Sequence, residues 1–228
     1  MFVGHYGPSF AIRAVRPELP LWLTFLAAQL VDVAWALFVL AGVEKVRIVP
    51  GITAANPLDL YYMPYTHGLI MSLAWALAAG LVCKVLFNWP RWSLALWLAA
   101  AVLSHWLLDL LVHRPDLPLY GDAAKVGLGL WNIPPVALAL EVIALFGGLW
   151  LYLRRTTARN AVGRYGPTVF VVTMLVIQVA TSAGPPPPST AALAWSALGA
   201  YLGFALVAGW IDAQRTSDTL SGAVPKEV

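Results

Sequence analysis

The stretch Ser104–Tyr120, SHWLLDLLVHRPDLPLY, decides how the chain is read. Its first half is apolar enough to lie in lipid, yet it carries His105, Asp109 and His113 at intervals of four. On a helix, side chains four apart drift by only about 40°, so all three share one face. The stripe rises about 12 Å, too long for one ion to touch both ends. Adjacent members suit a shared ion. The full stripe suits two ions, or one ion and a group facing substrate. Pro115 ends the helix.

The rest of the chain has the same apolar character. Of 228 residues, 60% are hydrophobic and 11% charged, where a soluble domain carries about 25% charged residues. Six stretches approach the ~20 apolar residues that a membrane-spanning helix needs: 21–42, 65–87, 92–113, 133–153, 167–183 and 190–211. Residues 165–211 hold no charge and are divided by Gly184-Pro185-Pro186-Pro187-Pro188-Ser189, through which no helix runs. The expected fold is therefore an all-α integral membrane protein, a polytopic bundle of about six transmembrane helices. It forms one membrane domain over 1–228. Residues 1–20 form an N-terminal segment, 21–153 carry the candidate site, and 154–228 hold two accessory spans and a C-terminal tail.

Many of the 11 Trp residues stand near the ends of apolar runs, as an interfacial belt requires. The one cysteine, Cys83, permits no intrachain disulfide and reads as a buried structural thiol. The N-terminus lacks the charged start, long apolar core and cleavage site of a signal peptide, so it is expected to be retained. The net charge of +3 comes with no basic run or nucleic-acid motif, which argues against nucleic-acid binding and for membrane lipids as surroundings. Nothing in the sequence sets an oligomeric state.

With six spans, one side holds Arg13, Arg16, Lys84, Arg91, Arg154, Arg155, Arg159, Arg164, Arg215 and Lys226. The other holds only Lys45, Arg47, Arg114 and Lys125. Basic loops stay inside, so both termini are expected in the cytoplasm.

Three carboxylates, Asp32, Asp109 and Glu141, lie within the expected spans, with no Lys or Arg beside them. A charge at mid-bilayer costs about 2.5–3.5 kcal/mol on the insertion scale. Protonation, a water-filled cavity or bound cations can offset that cost. The four histidines bear on the choice. His67, His105 and His113 all fall towards the outer ends of their helices, near Glu141. Neutral imidazole with carboxylate suits Zn²⁺, with Mn²⁺ and Fe²⁺ as alternatives. A protonatable relay and plain hydrogen bonding between helices remain open for the same residues. His5 is harder to place, because it stands on the expected cytoplasmic side. Either its segment re-enters the bundle, or the orientation is reversed, or His5 is no ligand.

Gly4-His5, an Asp in the next helix, Thr66-His67, and Ser104-His105-x-x-x-Asp109 together form a pattern. It resembles the bacterial inner-membrane metal-dependent hydrolase family described as LexA-binding and inner-membrane-associated. More distantly it is similar to the zinc-dependent phospholipase C group, whose all-helical fold carries several metal ions. The likeness covers residues 4 to about 113. It implies that His5, Asp32, His67, His105 and Asp109 are ligands, in a bacterial inner membrane. His113 and Glu141 are added by position. The family's acidic Pro-Asp-x-Asp cluster is replaced here by Asn56-Pro57-Leu58-Asp59, so Asp59 either does part of that work or turns a loop beside Pro57.

The resemblance implies an activity of hydrolysis, and the expected substrate is an ester or phosphoester of a lipid or lipid-linked molecule. Glu141 or Asp59 would orient or deprotonate water. Arg114 would steady a substrate anion, or else pair with Asp116. Two rivals stand beside it. One is a proton- or ion-coupled transporter, which needs a polar path to both faces. The other is a non-catalytic scaffold with a closed structural metal. The Gly127–Gly129 pair fits no phosphate loop and reads as a turn or a close contact.

Overall fold

The computed structural model describes residues 2–217; the rest of the C-terminal tail, with Lys226, lies outside the described residues. The fold is an all-α polytopic bundle. Among the described residues, five helices are each long and apolar enough to cross a membrane: α4 (Leu69–Leu86), α5 (Trp92–Val112), α6 (Pro134–Arg154), α7 (Ala161–Ala183) and α8 (Thr190–Asp212). A bent helix pair, a broken span or a re-entrant loop, stands beside these five. The expected span 21–42 is α2 (Leu21–Ala28) followed by α3 (Leu30–Leu40), bent by 52° at Gln29. The preceding helix, α1 (Tyr6–Val15), has 10 residues, about 15 Å, half a bilayer.

The helix ends follow local chemistry. Pro134 opens α6, where its missing N–H costs nothing. Asn160 caps α7 by accepting the Gly163 N–H, and Ser189 caps α8 by accepting that of Ala192. α7 begins six residues before the expected 167 and runs through Pro167. A proline there strands the carbonyl four residues back. That carbonyl, on Gly163, instead accepts a hydrogen bond from the Arg215 guanidinium.

Two short antiparallel ribbons mark opposite ends of the bundle. At one end β1 (Lys45–Ile48) pairs with β2 (Leu58–Tyr62). The 113–133 connection packs on this ribbon, with Lys125 Nζ donating to the Tyr61 carbonyl at 2.8 Å and Ala55 N–H to that of Trp131 at 2.9 Å. At the other end β3 (Thr156–Ala158) pairs with β4 (Arg215–Ser217). Successive crossings therefore alternate in direction.

α1 lies inside the bundle, and Val3, Tyr6 and Phe10 are fully or almost fully buried. It crosses α6 at backbone contact. A Cβ on Gly7 would stand 2.2 Å from the Ala144 carbonyl oxygen, and one on Gly148 would stand 2.1 Å from that of Gly7. Small residues permit such approach in lipid. Gly148→Ala is expected to push α1 off α6, lowering the melting temperature of the detergent-purified protein and its metal content together. Gly147→Ala, where a Cβ meets nothing within 4 Å, is expected to do neither.

Candidate metal centre

The α5 stripe faces the interior: His105, Asp109 and His113 are all buried. Three other segments bring side chains to it. His67 stands just before α4. Asp32 stands in the first turn of α3, where the helix N-terminus favours a carboxylate. His5 closes a short 3₁₀ turn, Val3–His5, ahead of α1. His5 is buried inside the bundle beside Asp109.

Asp109 sits among the rings. Its Oδ1 lies 3.1 Å from His5 Nε2. Its Oδ2 lies 3.1 Å from His105 Nε2, 3.6 Å from His113 Nε2 and 3.8 Å from His67 Nε2. Asp32 Oδ1 is 3.2 Å from His67 Nε2 and 3.6 Å from His105 Nε2. The His5 and His105 rings stack at 3.8 Å.

The outer edges of the rings fix which nitrogen faces inward. His105 Nδ1 is 2.7 Å from the Ala28 carbonyl, which only accepts, so Nδ1 carries the proton. This contact also accounts for the break between α2 and α3: a side-chain donor enters the backbone ladder just before Gln29. The Thr66 hydroxyl donates to Glu44 Oε2 at 2.6 Å and so accepts from His67 Nδ1 at 2.8 Å. His113 Nδ1 donates to Asp116 Oδ1 at 2.8 Å. The Nε2 atoms of His67 and His105 face both carboxylates, and that of His113 faces Asp109. Outer hydrogen bonds of this kind orient metal-ligating histidines.

A bare Nε2 lone pair set against a carboxylate oxygen is repulsive. Two remedies exist: a second proton on each ring, or a cation in the middle. Four imidazoliums against two carboxylates would leave buried surplus positive charge. Moreover, His5 Nε2 and His105 Nε2 lie 3.1 Å from Asp109 oxygens without hydrogen-bond alignment. His67 Nε2, by contrast, is hydrogen-bonded to Asp32 Oδ1 at 3.2 Å, and the remaining donor atoms converge on common points. Two overlapping triads meet the spacing for ligation, His5–His105–Asp109 and Asp32–His67–His105. These buried residues can hold a metal ion.

A scan against protein-family models and searches of curated proteins and of solved structures found no match to this chain. The site is therefore read from its own geometry.

A cavity of about 100 Å³ touches the cluster at Asp32, His67, Asp109 and His113. Asp32 is the most open of the six, its side chain 14% exposed against 0–5% for the others. Tyr201 of α8 also lines the cavity and donates to Asp32 Oδ2 at 2.8 Å. The remaining wall is chiefly apolar, with Trp35, Leu58 and Trp131 prominent and Asn56 a polar exception.

The other expected site residues lie elsewhere. Glu141 Oε2 accepts the backbone N–H groups of Phe2 and Gly4, both at 3.1 Å, and so holds the turn that carries His5. Arg114 donates to Asp116 Oδ2 at 3.1 Å and also to Asp59. Asp59 in turn accepts from Arg47 Nε at 2.9 Å. This chain of alternating charge buttresses His113 through Asp116, and neither Arg114 nor Asp59 lines the cavity. Gly127 and Gly129 press on the end of α5: a Cβ on Gly127 would meet the Arg114 carbonyl oxygen at 2.2 Å, and Gly129 N–H donates to the His113 carbonyl.

Glu44 and Tyr201 were not singled out in the sequence. Tyr201 had a usable signal, since it stands in the middle of a charge-free span and not in an interfacial belt, and a mid-bilayer phenol needs a partner. Glu44 had none, because it reads as an ordinary loop acid.

Proposed function

We propose that this chain is a membrane-embedded, metal-dependent hydrolase acting on an ester or phosphoester of a lipid or lipid-linked substrate. Zinc is the favoured ion, with manganese or iron as alternatives. The observation that carries this reading is the set of imidazole Nε2 atoms turned onto Asp32 and Asp109 while their Nδ1 atoms are tied outward.

A divalent ion held there supplies a Lewis acid that polarises the scissile group and acidifies water. The chain's own residues divide the remaining work. His67, His105, His113 and Asp109, with Asp32 and His5, hold the ion. Asp32 also borders the cavity, where it can take a hydrogen bond from entering water. Tyr201 keeps Asp32 oriented. Glu141 holds the His5 turn in place.

The cavity favours an enzyme over a closed structural centre, because one side of the cluster is left accessible. A transporter is favoured less. Between the cluster and the β3–β4 end, the interior is largely filled by Tyr6, Phe10, Phe25, Leu145, Phe170 and Phe204, and the buried hydroxyls there, on Ser9 and Thr24, are spent on each other's backbone carbonyls. The basic bias of that same end supports placing it, with Arg13 and the end of α8, in the cytoplasm of a bacterial cell, the chain lying in the inner membrane, whereas Phe2 and His5 stand at the cluster, away from that end.

Elemental analysis of the detergent-purified protein tests the proposal. Wild type is expected to carry a stoichiometric divalent metal, and His105→Ala to lose it. Wild type with no metal above background overturns the reading.

A further inference from the structure

The cavity is small and has a distinctive charge balance. Ligand pockets that enclose a whole small molecule measure about 300–1,000 Å³. At about 100 Å³ this one has room for a scissile group and little more. The rest of any substrate must lie outside it.

The wall shows what lies outside. Leu193 and Ala197 line the cavity from the first half of α8 and are only half-buried. Their neighbour Trp195 is 64% exposed on the opposite face. A single apolar helix therefore separates the cavity from lipid. Around the same end, Val43, Val49, Tyr120, Leu128 and Ile133 are all exposed and lie outside the spanning helices. An apolar rim of this kind sits among lipid headgroups.

Charge narrows the chemistry. Among the described residues lining the cavity there is no Lys or Arg, and the nearby Arg47 and Arg114 are paired with Asp59 and Asp116. Both ligand triads draw on His105, whose Nε2 serves one ion. A phosphoester would bring further negative charge against Asp32 and Asp109 in a wall whose described residues include no Lys or Arg, and an unpaired buried charge is costly.

We infer that the substrate is an amphiphile that stays in the bilayer and offers the cavity an uncharged acyl ester, its chain lying against the Leu193–Ala197 side of α8. This rests on the hydrolase reading and narrows it to acyl esters. In the reaction, the oxygen of water bonds to the acyl carbon and the acyl C–O bond breaks. The leaving oxygen takes one proton of the water, and the new carboxylic acid releases the other to solvent.

The test uses the full-length metal-loaded protein in lipid nanodiscs. The substrates are p-nitrophenyl octanoate, p-nitrophenyl acetate and the anionic bis(p-nitrophenyl) phosphate. The octanoate is expected to be hydrolysed with the highest kcat/KM and the phosphate with the lowest, all activity being lost in His105→Ala. Ala197→Trp and Leu193→Trp are expected to lower turnover of the octanoate by about tenfold or more, with the acetate much less affected and metal content unchanged. Hydrolysis that depends on His105 but favours the phosphate, or ignores chain length and both tryptophans, overturns the inference and leaves the hydrolase reading standing. If none of the three is turned over in a His105-dependent way, both fall.

Discussion

Asp109→Ala is expected to purify without bound metal and to melt at the same temperature with or without added zinc. Wild type is expected to melt higher with zinc than with chelator. The reason lies in how many donors meet at one carboxylate: Oδ1 faces His5, and Oδ2 faces His105, His113 and His67. No other side chain in the cluster touches all four rings. A ligand that binds only the folded state stabilises it by about 2.7 kcal/mol at a hundred times its Kd. For a chain of this size, 1 kcal/mol corresponds to roughly 2–4 °C in melting temperature. The expected loss is thus several degrees of metal-dependent stabilisation, read by differential scanning fluorimetry with matched chelator controls. Asp109→Asn separates charge from shape. It keeps the side-chain volume and one carbonyl oxygen, so it is expected to fold like wild type and still lose most of its metal. A zinc-dependent rise in Asp109→Ala equal to that of wild type would place the ion elsewhere.

How far the sequence alone reaches can be judged residue by residue. The α5 stripe was legible because helical periodicity is rigid: residues four apart must share a face, whatever surrounds them. His67 and Asp32 were legible for another reason, since polar groups in apolar spans need company. The rotation of those helices towards one another is tertiary information, and no local rule supplies it. The break at Gln29 shows the limit clearly. No Pro or Gly marks it, and its partner is His105, 77 residues from Ala28 along the chain. The early start of α7 was hidden similarly. Pro167 reads as a boundary until Arg215 is seen to satisfy the Gly163 carbonyl. Glu141 was legible as a buried acid near the site, while its partners, two backbone N–H groups 137 and 139 residues away, were not. Side-chain type announces that a group needs a partner; the fold decides which.

Arg13→Ala is expected to be the most destabilising single substitution outside the metal cluster, and it acts from the far end of the molecule. Arg13 closes α1, and its Nε donates to Asp212 Oδ1 at 3.0 Å and Oδ2 at 2.9 Å, both side chains only 8% exposed. Asp212 also accepts from the Tyr152 hydroxyl at 2.8 Å and from the Leu21 N–H at 3.1 Å. Arg13 Nη1 reaches Ser217 Oγ on β4 at 2.8 Å. One carboxylate thus ties together the end of α1, the start of α2, the end of α6 and the end of α8. Removing the cation leaves that carboxylate buried with neutral donors alone, and breaking a buried pair in this way costs about 3–5 kcal/mol. Lys at position 13 preserves charge but lacks the planar guanidinium that meets Asp212 through Nε and Ser217 through Nη1 together, so Arg13→Lys is expected to lie between wild type and alanine. The paired variant Arg13→Met with Asp212→Asn removes both charges, and it is expected to recover most of the loss. The consequence also reaches the metal. α1 is a short rod whose other end carries His5, so freeing its Arg13 end loosens a ligand about 12 Å away. In the alanine variant, zinc affinity measured by competition with a chromophoric chelator is expected to fall along with stability. A variant that melts several degrees lower but binds zinc with wild-type affinity would show that His5 is held by Glu141 and the Gly7–Gly148 crossing alone.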